Sequence, residues 1–166
     1  MLLDTSSGKG PMKVERDLQE VKIAHLDLTD FATVPQGTKV GQVLKLMRQK
    51  RLSAVLIVGQ EGLVGIFTER DVLTRVADDL ASWEQSVDNY MTPDPKTALP
   101  EETVGQVLRF MNAGHYRNMP VLKEDGEPLG NLTHHALIRF LTDQFPHEIY
   151  NLPPDPDLIP RTREGA

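Results

Sequence analysis

The run Gly65-Ile66-Phe67-Thr68-Glu69-Arg70-Asp71 carries the side chains best suited to chemistry in this 166-residue sequence. A carboxylate such as Asp71 can accept hydrogen bonds from both hydroxyls of a ribose. A Thr hydroxyl beside the free N–H groups of a helix start suits a phosphate. Gly65 lets backbone approach a ligand closely. The same Thr-x-x-Asp spacing is equally an ordinary helix cap, worth about 1 kcal/mol with no ligand at all. Catalytic chemistry is poorly served. There is no Gly-x-Ser-x-Gly, no Gly-x-x-x-x-Gly-Lys loop and no His-Glu-x-x-His. Adjacent His134 and His135 would point apart on a helix and make a poor metal pair. With no Cys in the chain, thiol catalysis, thiolate metal sites and disulfides are excluded. The expectation is a non-catalytic protein with no catalytic residues and no metal ligands.

The elements that must position Thr68 and Asp71 are written twice. Gly41-Gln42-Val43-Leu44 returns 64 residues later as Gly105-Gln106-Val107-Leu108, and at the same offset Met47 and Val58 fall on Met111 and Leu122. Gly65 and Thr68 fall on Gly130 and Thr133 at an offset of 65, so one residue is inserted before the last strand of the second copy. Each copy opens with a turn, Pro35-Gln36-Gly37-Thr38 or Pro100-Glu101-Glu102-Thr103, that predicts Thr38 and Thr103 as helix N-caps. Val40, Val43, Leu44 and Met47 then repeat at helical spacing, as do Val104, Val107, Leu108 and Met111. Two apolar strands follow, joined by a turn at Gly62 or Asp125-Gly126, and a closing helix near 69–80 or 134–145. The predicted class is α/β (α+β). Two repeats of strand, helix, strand, strand, helix pack sheet to sheet as a pseudo-twofold pair with helices outside. The expected divisions are a flexible segment over 1–19, repeats over 20–82 and 83–145, and a Pro-rich tail over 146–166. Residues 13–28 are expected to form a short helix or strand entering the first repeat. Ile149, Tyr150, Leu152 and Leu158 of the tail are expected to dock on the body or on a partner.

At 39% hydrophobic and 25% charged residues, the chain suits one globular domain or a tightly packed pair. It has no apolar run near 18 residues and no signal-peptide core, so a cytoplasmic protein without a membrane contact is expected. A net charge of −6 argues against general affinity for nucleic acid or anionic membranes.

The order Thr-x-Val-Gly-Gln-Val-Leu-x-x-Met, then Met119-Pro120-Val121, Asp125-Gly126 and Leu129-Gly130-x-Leu-Thr133, resembles a cystathionine-beta-synthase (CBS) domain. Both copies together, about residues 20–145, resemble the tandem pair called a Bateman module. The stretch 132–141 is similar to repeats in the gamma subunit of AMP-activated kinase. The resemblance implies a regulatory sensor that binds AMP, ADP or ATP, with or without magnesium, or S-adenosylmethionine, in clefts between the repeats. It also implies a homodimer, for which helix faces carrying Val43, Leu46, Leu108 and Phe110 are candidates, and an effector protein as partner. A ligand-free scaffold for protein contacts is the alternative. In the family a basic residue about three before the strand Pro often reaches a phosphate held by the opposite repeat, and Arg117 has that place, with His115 a weaker candidate. The implied site therefore joins Thr68 and Asp71 of the first repeat to Arg117 of the second. Ala54, Val55 and Ile66 are expected to line the adenine slot, and Thr29 or Asp30 to cap the base. In the opposite cleft Ser53 stands at the position of Arg117 and Ala136 at that of Asp71, so one competent site per chain is expected.

Overall fold

A computed structural model describes residues 13–146 of the chain, and the tail residues Ile149, Tyr150, Leu152 and Leu158 lie outside them. In the first repeat, β1 (Thr33–Pro35) leads to α2 (Val40–Lys50), β2 (Ala54–Gly59), β3 (Gly62–Thr68) and a closing helix α3 (Glu69–Asp71) that continues as a π turn over Val72–Val76. The second repeat has α4 (Val104–Ala113), β5 (Asn118–Leu122), β6 (Pro128–Thr133) and α5 (His134–Gln144). Its counterpart of β1 shrinks to a single parallel bridge, Ala98 to Val121, equivalent to Val34 against Ile57 in the first copy.

Both hairpins are antiparallel and share their register. Ala54 faces Thr68, and 64 to 65 residues later Asn118 faces Thr133. The inserted residue lies in the hairpin loop: four residues, 59–62, separate the paired Val58 and Leu63, whereas five, 123–127, separate the paired Leu122 and Pro128. Gly62 and Gly126 both take positive φ, of 110° and 85°, as these turns require. They also meet across the molecule, since a Cβ on Gly62 would lie 2.8 Å from the Gly126 carbonyl oxygen.

Strand alternation gives each hairpin two faces. Val55, Ile57 and Phe67 point into one core with Val40, Val43 and Met47 of α2. Met119, Val121 and Leu132 point into the other with Val104, Val107 and Met111 of α4. The opposite faces, Ala54, Leu56 and Ile66 on one hairpin and Pro120 and Asn131 on the other, are also buried, as a sheet-to-sheet pair demands.

Neither core is built from its own repeat alone. Helix α1 (Lys13–Glu20) and the 3₁₀ turn Ile23–His25 pack on the second repeat, not the first as expected: Ile23 and Leu26 belong to the core around Val104 and Leu132. The reason lies in the backbone. Ile23 N–H donates to the Glu102 carbonyl at 2.9 Å, and Val104 N–H donates to the Val21 carbonyl at 2.8 Å. The connector reciprocates. Val87 and Met91 complete the first core, and β4 (Thr92–Pro93) joins the first sheet beside β3. Residues 13–19 of the expected N-terminal segment lie within α1.

Three local expectations change. Thr103 caps α4, accepting from Gln106 N–H at 3.3 Å while the Gln106 side chain accepts from Thr103 N–H at 2.9 Å. Thr38 does not cap α2, because Lys39 occupies the aligned position and the Thr38 hydroxyl donates to the Pro35 carbonyl at 2.6 Å. Val43 is fully buried in the first core and offers nothing to a partner. The closing helix of the first repeat stops at Val76, short of 80, in a π turn closed by Ala77 N–H on the Val72 carbonyl. Among the described residues no helix is long and apolar enough to cross a membrane.

Candidate functional site

Thr68 ends β3 in extended backbone, and the chain turns at once into α3. Its N–H and its hydroxyl both donate to Asp71 Oδ2, at 2.9 and 2.8 Å. Asp71 is 5% exposed, which is tolerable for a carboxylate only with such partners. Its other oxygen, Oδ1, has an ion pair to Arg75 at 3.7 Å. The Arg75 guanidinium also donates to the carbonyls of Tyr90 and Met91, at 2.9 and 3.1 Å, and so ties the connector to the motif. The Thr-x-x-Asp run is therefore a capping arrangement with one carboxylate oxygen less fully engaged. The N–H groups at this helix start are not all free. Glu69 N–H donates to the Ser53 carbonyl at 3.2 Å.

Gly65 is approached by protein rather than left open. A Cβ there would collide with Met91, whose Cγ and Cε would lie 3.0 Å away. Gly130 has the matching role, since a Cβ would lie 2.7 Å from the Leu28 carbonyl oxygen. Both glycines allow the crossing segment from the other end of the molecule to lie flat on the strand.

Arg117 and His115 are exposed on the loop before β5, His115 in left-handed backbone with φ of 53°. Among the described residues the Arg117 side chain has no ion-pair partner within 4 Å. The strand start that carries it is joined to the Thr68 motif through Ser53. The Ser53 hydroxyl lies 3.1 Å from Asn118 Oδ1, next to Arg117, and the Ser53 carbonyl takes Glu69 N–H, next to Thr68. The pseudo-symmetric link, His134 N–H to the Arg117 carbonyl at 3.1 Å, repeats the arrangement in the second copy.

Two of the expected lining residues, Ala54 and Ile66, lie on the buried inner face between repeats with Leu56. Val55 does not, because alternation turns it into the first core. Thr29 and Asp30 are also displaced from the expected cleft. They follow Leu28, whose carbonyl accepts from Asn131 N–H at 3.0 Å, so they border the second repeat's hairpin. The Thr29 hydroxyl and N–H are both spent on Asp27 Oδ1, at 2.6 and 3.0 Å, and hold that carboxyl below the ordinary Asp value, with Arg139 adding to the effect. Asp30 lies 3.3 Å from the Ser53 hydroxyl, and its carbonyl accepts from Asn131 Nδ2.

The residues that border the Thr68 end of β3 are Thr92 and Pro93, paired to Ile66 and Gly65, followed by Asp94 at a φ of 44°. The signal was available. Asp94 stands 64 residues after Asp30, within Met91-Thr92-Pro93-Asp94-Pro95. The inner faces of the two repeats differ sharply. Where the first has Ala54, Leu56 and Ile66, the second has Asn118, Pro120 and Asn131. Asn131 is fully buried, and its Oδ1 has no hydrogen-bond partner among the described residues. Ala136 is buried at the α5 start, where its N–H donates to Thr133 Oγ1 at 3.0 Å, and no carboxylate replaces Asp71.

The CBS domain profile matches residues 23–78 and 87–143, two copies that together cover more than half of the chain. Among curated proteins, the CBS domain-containing protein CBSCBSPB5 of Arabidopsis thaliana is 29% identical over 120 residues, which is 63% of this chain and 22% of that protein's length. The chain thus spans about a fifth of that relative. Among solved structures, CBSX2 of Arabidopsis thaliana in complex with AMP superposes with a TM-score of 0.64 at 22% identity, covering 75% of this chain and 98% of that one. The CBS domain pair of MJ0100 in complex with 5′-methylthioadenosine and S-adenosyl-L-methionine superposes at 0.64 and 21%, covering 75% and 98%. These likenesses agree with the duplicated fold, and the chain belongs to the CBS domain family as a tandem CBS pair.

Proposed function

We propose that this chain is a non-catalytic regulatory CBS pair that binds an adenine nucleotide between its repeats, with Thr68 and Asp71 on the ribose side and Arg117 on the phosphate. The observation that carries the reading is the convergence of a cap-anchored carboxylate and an unpaired guanidinium on chain segments linked through Ser53. Asp71 Oδ1 keeps acceptor capacity, since its only partner within reach among the described residues is Arg75 at 3.7 Å. Arg117 can take a phosphate by two parallel hydrogen bonds. Ile66 is the apolar residue proposed to border a base, backed by the fully buried Ala54, and Thr92 replaces Thr29 as the neighbouring hydroxyl. The AMP complex of CBSX2 and the adenosyl complex of MJ0100 support an adenosine-containing ligand. The polar inner face of the second repeat, with Ala136 in place of a carboxylate, supports a single such site per chain.

The two anchors should separate in binding assays. Asp71→Ala is expected to weaken adenosine and AMP alike, because it removes a ribose contact common to both. Arg117→Ala is expected to weaken AMP and ATP while sparing adenosine. Equal losses for adenosine and AMP in Arg117→Ala would contradict the phosphate role.

Self-association belongs to the same reading. Phe110 is 60% exposed on α4 and Ile138 is 59% exposed on α5, so the second repeat presents large apolar side chains to solvent. Light scattering is expected to give a dimer that Phe110→Lys converts to monomer. A monomer at every accessible concentration would remove this part of the proposal.

A further inference from the structure

Asp71 aligns with Ala136 at an offset of 65, and an unbroken α-helix would carry that offset on and set Arg75 opposite Phe140. The closing helix of the first repeat is not unbroken. Val72–Val76 form a π turn, closed by Ala77 N–H on the Val72 carbonyl at 2.9 Å, and a π turn takes one residue more than an α turn. The offset therefore returns to 64. Val76 enters the first core as Phe140 packs on the second, and Arg75 stands opposite Arg139. Single-turn π insertions are frequent at functional sites.

Both arginines reach the linking segment that closes the core of their own repeat, but they take different partners there. Arg139 has the Asp27 side chain at 3.4 Å and His135 at 3.0 Å, and Ala136 offers it no carboxylate. Arg75 donates to two backbone carbonyls, those of Tyr90 and Met91, at 2.9 and 3.1 Å, and the same Nη1 lies 3.7 Å from Asp71 Oδ1. One guanidinium nitrogen thus faces three oxygens. The carboxylate contact is too long for a hydrogen bond, so it supplies charge and leaves Oδ1 able to accept from a hydroxyl. The tethered carbonyls belong to the chain that borders β3: Met91 packs on Gly65, and Thr92 and Pro93 pair with Ile66 and Gly65. Beyond Pro93 the same connector enters the second repeat.

We infer that Arg75 is a positioning residue of the nucleoside site and couples that site to the connector between the repeats. Its guanidinium fixes the Asp71 carboxylate and the Tyr90-Met91 backbone relative to each other, so a ligand held by Asp71 also orders the chain from Tyr90 to Asp94. The inference rests on the ribose reading of Asp71.

Calorimetry and amide hydrogen exchange on the full chain test this with two variants, Arg75→Gln, which removes the charge, and Arg75→Lys, which keeps it. In Arg75→Gln the dissociation constants of AMP and adenosine are both expected to rise on the order of tenfold, within the usual range for coupled sites. Arg75→Lys should recover most of that loss, because an ammonium also donates to three oxygens. Saturating AMP should slow exchange at Tyr90, Met91, Thr92 and Asp94 in the unmodified chain, and should fail to do so in Arg75→Gln even where excess AMP restores occupancy. Unchanged exchange in β5 and β6 reports that the variants are folded. Equal behaviour of the Gln and Lys variants, unchanged affinities in Arg75→Gln, or undiminished slowing in it would overturn the inference and leave the ribose reading standing. A loss for AMP with none for adenosine would overturn it too, by moving Arg75 to the phosphate. If the unmodified chain binds neither AMP nor adenosine, the ribose reading fails and this inference falls with it.

Discussion

Ile23→Ala is expected to destabilise the protein by about 2–5 kcal/mol, the range for truncating a fully buried aliphatic side chain whose cavity cannot collapse. The distinctive feature is where the damage falls. Ile23 opens the first repeat in sequence, yet it packs with Val104, Val107, Met111 and Leu132 of the second. Urea unfolding with amide hydrogen exchange should show protection falling first at β5 and β6, before β2 and β3. Loss confined to the first hairpin would mean that the crossed arrangement of core segments is wrong. Such an exchange of segments also joins the two cores physically, because each repeat's apolar cluster is closed by chain leading into the other.

The second large effect is ligand linkage. A nucleotide that binds only the folded chain should add about 2.7 kcal/mol at 100 times its dissociation constant. That increment should nearly vanish in Asp71→Ala. The variant will also be less stable without ligand, by about 1 kcal/mol for the lost cap, because Asp71 Oδ2 accepts both the N–H and the hydroxyl of Thr68. The informative quantity is therefore the increment on adding nucleotide to each variant, not the absolute melting temperature. An undiminished increment in Asp71→Ala would move the ribose away from this carboxylate.

Much of this architecture was legible because the duplication constrains it. Helical spacing in α2 and α4, the apolar hairpins and the one-residue insertion all follow from aligning the two copies, and each is where the alignment puts it. What the repeat pattern concealed was which core each linking segment enters. Ile23 and Val87 are apolar residues in short irregular stretches, and nothing local distinguishes packing on the nearer repeat from packing on the farther one. For the same reason the sequence did not show that Thr29 and Asp30 follow a segment bonded to Asn131 of the second hairpin, while Thr92 pairs with Ile66 of the first. Val55 was misplaced for a different reason. A strand buried on both faces reads as continuous apolar sequence, so the face on which a residue lies follows only from the register. Thr38 shows how a one-residue misalignment matters: Lys39, not Thr38, is aligned with Thr103.

Isothermal calorimetry of the full chain with AMP tests the central claim most directly. One binding event per chain is predicted, weakened in both Asp71→Ala and Arg117→Ala, with adenosine binding retained only in the latter. No heat and no thermal shift with AMP, ADP, ATP or S-adenosylmethionine at millimolar concentration would contradict the account, and two equal sites per chain would contradict the asymmetry between Ile66 and Asn131 on which it rests.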